Sequence, residues 1–341
     1  MKIKKLFILG ISTLLLTGCF FKRDSMENID IYTTIYPINY LTTYLYGDYS
    51  KVHSIYPSGV NINEFNLSDK KISEYSKSDL FIFNGQDKDR DYAVSMINKN
   101  NNLKIIDTSL SITYDYSVTE LWINPNNYLM MAQNIKNGLN EYISGPYINK
   151  EIDKKYEELN KSLSKLDAYL KETLKDAEYN TIVTDSDELR FLENLLTDKS
   201  FTVISLDKTD EVNITYTVKD GDTLDTIAKE NNITKDSIIK LNNLENGKIT
   251  TGQKLDLTIK IVSNNNIAKA KKLIADKKIK YIYTTSDTNS EIVKELTNDY
   301  DIEIIKLNNM STIDGGVTNT NENYLTIMNS NIELLRKELY K

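Results

Sequence analysis

The chain of 341 residues carries 49 acidic against 42 basic side chains, a formal net charge of −7. That balance argues against a nucleic-acid binder, because phosphates demand clustered Lys and Arg. One cysteine and one histidine in the whole sequence exclude an intrachain disulfide and leave no Ser/His/Asp or Cys/His set to propose. No glycine-rich phosphate loop is present, so the expectation is a protein that is not an enzyme. Hydrophobic residues at 40% suffice for real cores, and the length suggests two or three domains.

The N-terminus opens with Lys2, Lys4 and Lys5, followed by the apolar run Leu6 to Leu16. That run is shorter than the roughly 20 residues a bilayer requires, so residues 1–18 read as a signal peptide. The segment Leu16-Thr17-Gly18-Cys19 resembles the bacterial lipobox. The resemblance implies cleavage before Cys19 and diacylation of that cysteine, with the protein lipid-anchored on the extracellular face of the cell membrane. Loss of three lysines with residues 1–18 takes the net charge from −7 to about −10. Polar residues 19–28 read as a tether.

Strands are then expected over Ile29–Thr34 and Val52–Tyr56, with a helix between them ending near Gly47. Ile72–Ser78 reads as helix, and Leu80–Phe83 and Leu103–Ile106 as strands. This alternation predicts βαβ units and a parallel sheet. From Ile152 to Leu174 apolar residues recur at spacings of three and four (Ile152, Tyr156, Leu159, Leu163, Leu166, Leu170, Leu174). They mark one face of a helix about 42 Å long, a spine for a two-lobed protein. Alternation resumes with strand Thr181–Val183, helix Glu188–Leu196 and strand Phe201–Leu206. Asp185 and Asp187 sit at that helix entrance, where Asp commonly caps. After residue 257 come helix Ile267–Ala275, strand Ile279–Thr284, helix Glu291–Leu296, strand Ile302–Leu307 and helix Asn323–Leu339. The fold class is α/β: two lobes, 29–145 and 180–213 plus 258–341, joined by linking segment 146–179.

Residues 214–257 interrupt the second lobe as a strand, a turn, two short helices and a strand. Tyr216-Thr-Val-Lys-Asp-Gly221-Asp222-Thr223-Leu224, Ile227-Ala228, Leu241-Asn242 and Gly252-Gln253-Lys254-Leu255 together resemble the lysin motif (LysM). The resemblance implies a βααβ domain that grips peptidoglycan glycan chains through Gly221, Asp222, Thr223 and Leu224 on one side and Asn243, Leu244 and Ile249 on the other. Leu224, Ile227, Ala228, Leu241 and Leu255 read as its small core. Asp220-Gly-Asp222 is a turn and not a calcium loop, because later acidic positions are missing.

Outside the insert, Thr33-Thr-Ile-Tyr36-Pro37, Val52-His-Ser-Ile-Tyr-Pro57-Ser-Gly59, Asp79-Leu-Phe-Ile-Phe-Asn84-Gly85, Leu121-Trp122-Ile-Asn-Pro125 and Tyr324–Leu335 resemble the zinc/manganese class of ABC-transporter solute-binding lipoproteins. The resemblance implies a monomer that captures its cargo between the lobes and hands it to an ABC permease. The family's metal-ligand positions fall on Asn63, Glu120, Asp185 and Asn308. None is an imidazole or thiolate, the donors zinc prefers. Two carboxylates and two amides form an all-oxygen set suited to Ca²⁺, Mg²⁺ or Mn²⁺. The one histidine, His53, lies within a strand and reads as structural. A different reading treats the lobes as a scaffold that has lost its metal site, with cell-wall binding as the working function.

Overall fold

The computed structural model describes residues 25–341 except 58, 63, 114–117, 245–246, 288–289, 312 and 314–321. The signal peptide, Cys19 and Asn63 therefore lie outside the described residues. Among those described, no helix is long and apolar enough to cross a membrane.

The first lobe is built from β1 (Ile29–Thr33), α1 (Tyr36–Tyr46), β2 (Ser50–Ser54), α2 (Asp69–Tyr75), β3 (Leu80–Phe83), α3 (Asp87–Lys99), β4 (Lys104–Asp107) and α4 (Pro125–Tyr142). Its strands pair in parallel in the order β2-β1-β3-β4. β3 reads Leu-Phe-Ile-Phe and is buried at every position, as a central parallel strand covered on both faces must be. β2 ends at Ser54, two residues earlier than the apolar pattern suggests, and Ile55 and Tyr56 turn into the core beyond it. Gly85 follows β3 because a Cβ there would come within 2.1 Å of the Asp107 carboxylate.

Two helices have weak sequence signals. α3 begins with the charged run Asp87-Lys-Asp-Arg-Asp and buries only Tyr92, Ala93 and Met96 as apolar residues. α4 starts where Asn124 accepts from the Asn126 amide and Pro125 occupies the first turn, a position where its missing N–H costs nothing. Its stripe Tyr128, Met131, Ala132, Ile135 and Leu139 packs inward.

The spine α5 runs from Pro146 to Lys175, 30 residues, or about 45 Å. Every apolar residue of the expected stripe is buried, with Ile148 added in the first turn. Tyr156 and the leucines beyond it hold one side of a core that continues through both lobes.

The second lobe contains β5 (Thr181–Thr184), β6 (Thr202–Ser205), α8 (Asn264–Ala275), β9 (Tyr281–Thr284), α9 (Glu291–Asp299), β10 (Glu303–Lys306) and α10 (Tyr324–Leu339). The sheet is again parallel, in the order β10-β9-β5-β6. The expected α-helix over 188–196 is instead a run of 3-10 turns at Asp187–Asn194. The aspartates there do not cap it: Ser186 holds the N-cap, Asp187 pairs with Arg190 at 3.1 Å, and Asp185 turns toward β9. α10 spans both lobes. Tyr324 at its start stacks on Tyr128 with ring centroids 3.6 Å apart. Near its end, buried Glu338 accepts from the Lys280 and Tyr281 amides of the second lobe.

Between β6 and α8 a two-stranded antiparallel ribbon, β7 (Thr209–Thr217) with β8 (Lys254–Val262), carries α6 (Leu224–Glu230) and α7 (Lys235–Leu241). It pairs with neither lobe's sheet. The ribbon starts before residue 214 and runs past 257, so the inserted unit spans 209–262. Its ends meet where the Ser263 amide donates to the Lys208 carbonyl at 2.7 Å. Val218, Leu224, Ile227, Ala228, Ile238, Leu255 and Leu257 form its own core. Leu241 does not join that core and is 47% exposed. The reason is the anchor beside it: the Asn242 side chain exchanges two hydrogen bonds with the Asp256 backbone, both 2.7 Å. This fixes the end of α7 against β8 with Leu241 outside.

Candidate functional site

The carboxyl ends of both parallel sheets face one cleft of about 820 Å³, the location where open α/β sheets bind ligands. Tyr56 follows β2, Asn84 follows β3, Thr285 and Ser286 follow β9, and Asn308 and Asn309 follow β10. All of them line the cleft. The segment before α4 completes it with Thr119, Glu120 and Trp122.

Glu120 is the hub. Its Oε1 accepts from the Asn309 side chain of the second lobe, while the Glu188 carboxylate accepts from the Thr119 and Glu120 backbone amides at 3.0 and 3.1 Å. Burial pushes the Glu120 carboxyl up to about 8; the nearby Glu188 charge adds to this, and hydrogen bonds from Thr285 and Asn309 oppose it. Burial likewise raises Glu188, against the hydrogen bonds it accepts from Thr119 and Glu120. Two buried carboxyls whose charges repel cannot both be ionised at little cost.

Of the four candidate ligand positions, Glu120 lines the cleft from the first lobe and Asn308 from the second; Asp185 follows β5 but is not among the lining residues, and Asn63 is outside the described residues. Asp185 Oδ2 accepts from the Thr284 hydroxyl at 2.7 Å. Asn308 lines the cleft, but its Oδ1 accepts from the Met310 amide at 2.8 Å in a local turn. The residue that reaches Glu120 is the next one, Asn309. His53 stands on β2, 44% exposed, with Nε2 3.2 Å from Asp30 Oδ1, and is not part of the cleft lining. Tyr56, Asp89, Glu188 and Asn309 escaped the sequence reading. Asp89 accepts from the Tyr56 hydroxyl at 2.6 Å, and its position in a polar helix face gave no signal. Glu188 sits three residues after Asp185, a spacing that could have marked it.

These donors do not suit zinc. No imidazole or thiolate is present, and among the described residues no group of three or more His, Cys, Asp or Glu could hold a metal ion.

In the inserted unit, Gly221 adopts φ +84°, a conformation open to glycine, in a turn closed by Asp222. Asp222 accepts from the Lys219 amide at 2.7 Å and the Tyr216 hydroxyl at 2.8 Å. Thr223 caps α6 in a reciprocal box with Thr226. The two candidate loops approach each other: Leu224 is buried with Leu244 and Ile249 packed on the same cluster, and a Cβ on Gly247 would stand 3.7 Å from Leu224 Cδ1. Asn243, with φ +48°, is exposed beside them.

Two parallel-sheet lobes, a spanning helix and a cleft between carboxyl strand ends define a solute-binding protein of the two-lobe kind. The chain belongs to the ZnuA family, zinc-uptake complex component A, periplasmic, whose model matches residues 31–239. The family is a binding component of transport and not a family of enzymes. Its fold is similar to that of Zn(II)-bound AdcA from Streptococcus pneumoniae (16% identity, TM-score 0.61, covering 92% of this chain and 58% of AdcA). It is also similar to the metal-dependent lipoprotein YcdH from Bacillus subtilis (17%, 0.62, 92% and 100%) and to AdcAII of Streptococcus pneumoniae (17%, 0.63, 92% and 99%). The chain thus spans little more than half the length of AdcA. No curated protein matches its sequence.

Proposed function

We propose that the chain is the extracytoplasmic binding component of an ABC importer, anchored by lipid at Cys19, which captures a solute between its lobes for a permease. The observation that carries this reading is the contact of Glu120 with Asn309 across the cleft, at the carboxyl ends of both sheets. A ligand there touches both lobes at once, which is how closure becomes readable by a partner. The relatives' printed names point to zinc and other metals; here a cation would rely on Glu120 and Asp185, since a carboxylate supplies charge that Asn63 and Asn308 lack. Elemental analysis of the purified chain, with calorimetric titration against Zn²⁺, Mn²⁺ and Ca²⁺, tests the cargo. Cation binding that survives Glu120→Ala with Asp185→Ala would place the ligand elsewhere.

The second element of the reading is that the inserted unit is a LysM domain that grips peptidoglycan glycan through Gly221–Leu224 and Asn243–Ile249. A separate core, a glycine turn and two adjoining loops support it. With a lipid at one end and a wall contact at the other, retention rises through effective concentration. Pull-down with purified peptidoglycan tests it.

A further inference from the structure

The cleft has the dimensions and lining of an organic-solute site. Its volume, about 820 Å³, falls within the roughly 300–1,000 Å³ of small-molecule sites. Most of the acidic groups around it already accept a hydrogen bond or pair with a cation. Glu188 accepts from Thr119 and Glu120, Asp185 from Thr284, and Asp89 from Tyr56, while Asp287 pairs with Lys306 at 2.6 Å. A hard cation needs several carboxylate or carbonyl oxygens converging on one point, and among the described residues no group of three or more His, Cys, Asp or Glu is so placed.

Two lining oxygens, by contrast, are buried with no hydrogen-bond partner among the described residues: Asn84 Oδ1, beyond β3, and Glu120 Oε2, before α4. Buried polar atoms of this kind are unfavourable unless a partner meets them: Asn84 Oδ1 needs a donor, and Glu120 Oε2, which carries the carboxyl proton while Oε1 accepts from Asn309, needs an acceptor. Asn309 and Thr285 flank Glu120, and Gln86 lies beside Asn84, its Oε1 accepting from the Asn84 amide at 3.3 Å. The lining is thus dominated by amides and hydroxyls, the groups that recognise neutral polar molecules by paired hydrogen bonds.

We propose that the cleft binds an uncharged organic solute bearing several hydroxyl or carboxamide groups, with an O–H or N–H that donates to Asn84 Oδ1 and an oxygen that accepts from Glu120 Oε2. This rests on the reading that the lobes capture a solute and names its chemical class.

Calorimetry on the full chain in detergent tests it, with glucose and N-acetylglucosamine as neutral probes and Zn²⁺, Mn²⁺ and Ca²⁺ chlorides as the cation arm. One neutral probe is expected to saturate one site per chain, and Asn84→Ala and Glu120→Ala should each weaken it at least tenfold. Thermal melting verifies that the variants fold. Should Glu120→Ala not fold, Asn308→Ala, at an exposed lining position, replaces it and should weaken the probe several-fold. Stoichiometric cation binding lost in Glu120→Ala, with neither neutral probe binding, overturns the proposal and leaves solute capture standing. Neutral binding indifferent to the cleft variants places that ligand outside the cleft and overturns both. Silence of both arms at millimolar concentration counts against both.

Discussion

Trp122 and Asn309, 187 residues apart in the chain, meet where the indole Nε1 donates to the Asn309 backbone oxygen at 2.7 Å. The Asn309 side chain meanwhile donates to Glu120, and the Tyr324 hydroxyl donates to the Trp122 carbonyl at 2.7 Å. The segment that lines the cleft from one lobe is therefore pinned to a strand end of the other. Trp122 is 2% exposed, so Trp122→Ala should cost about 3–5 kcal/mol by cavity formation. Trp122→Phe, keeping most of the packing and losing the hydrogen bond, should cost roughly 1–2 kcal/mol. Urea unfolding of both variants checks the order.

A second prediction concerns pH. The Glu120 carboxyl titrates at about 8 in the fold against an ordinary value of 4.5. Between those values the folded state holds more protons than the unfolded state, so stability falls as pH rises through this window. The effect is on the order of a few kcal/mol at most. Denaturant midpoints from pH 4.5 to 8 should decline for the native chain and decline less for Glu120→Gln. An equal decline in both would assign the dependence to other groups.

The sheets and the spine were legible because their physics is local. Buried parallel strands read as apolar runs, and a stripe at three-and-four spacing from Ile152 to Leu174 marks one helix face, which inside an alternating α/β chain fits a spine better than a coiled-coil partner. α3 was not legible, since its inward face is three apolar residues behind five consecutive charged or polar ones. The site was only partly legible. Glu120 and Asn308 were reachable by motif as cleft-lining positions and Asp185 is not among that lining, but a one-residue offset separates Asn308 from Asn309, and alternation at a strand end decides which of the two turns across the cleft. Leu241 went the other way: its spacing fits a core position, and the Asn242 anchor overrides it.

The carboxyl of Glu338 is fully buried, accepting from two backbone amides and pairing with the Lys341 ammonium. Glu338→Ala leaves those amides without acceptors and detaches the end of α10 from β9. A loss of about 3–5 kcal/mol is expected, as for breaking a buried ion pair from one side. Chemical denaturation measures it, and a change below 1 kcal/mol would show that α10 is held by packing alone.

Because Ser263 N and Lys208 O are 2.7 Å apart, residues 209–262 can be excised with a short glycine linker and no strain on β6 or α8. The excised chain should melt as a folded protein close to the parent and fail to pull down with peptidoglycan. Equal pull-down by both proteins would make the inserted unit a spacer.

The proposed solute sits between the lobes at Glu120 and Asn309. Native mass spectrometry of the full chain extracted from membranes reads it directly. One small molecule per chain is expected, released on denaturation and absent from the Glu120→Ala, Asn309→Ala double variant. A bound species retained by that variant, or a chain that carries none and takes up none of the cations or neutral probes, would contradict it.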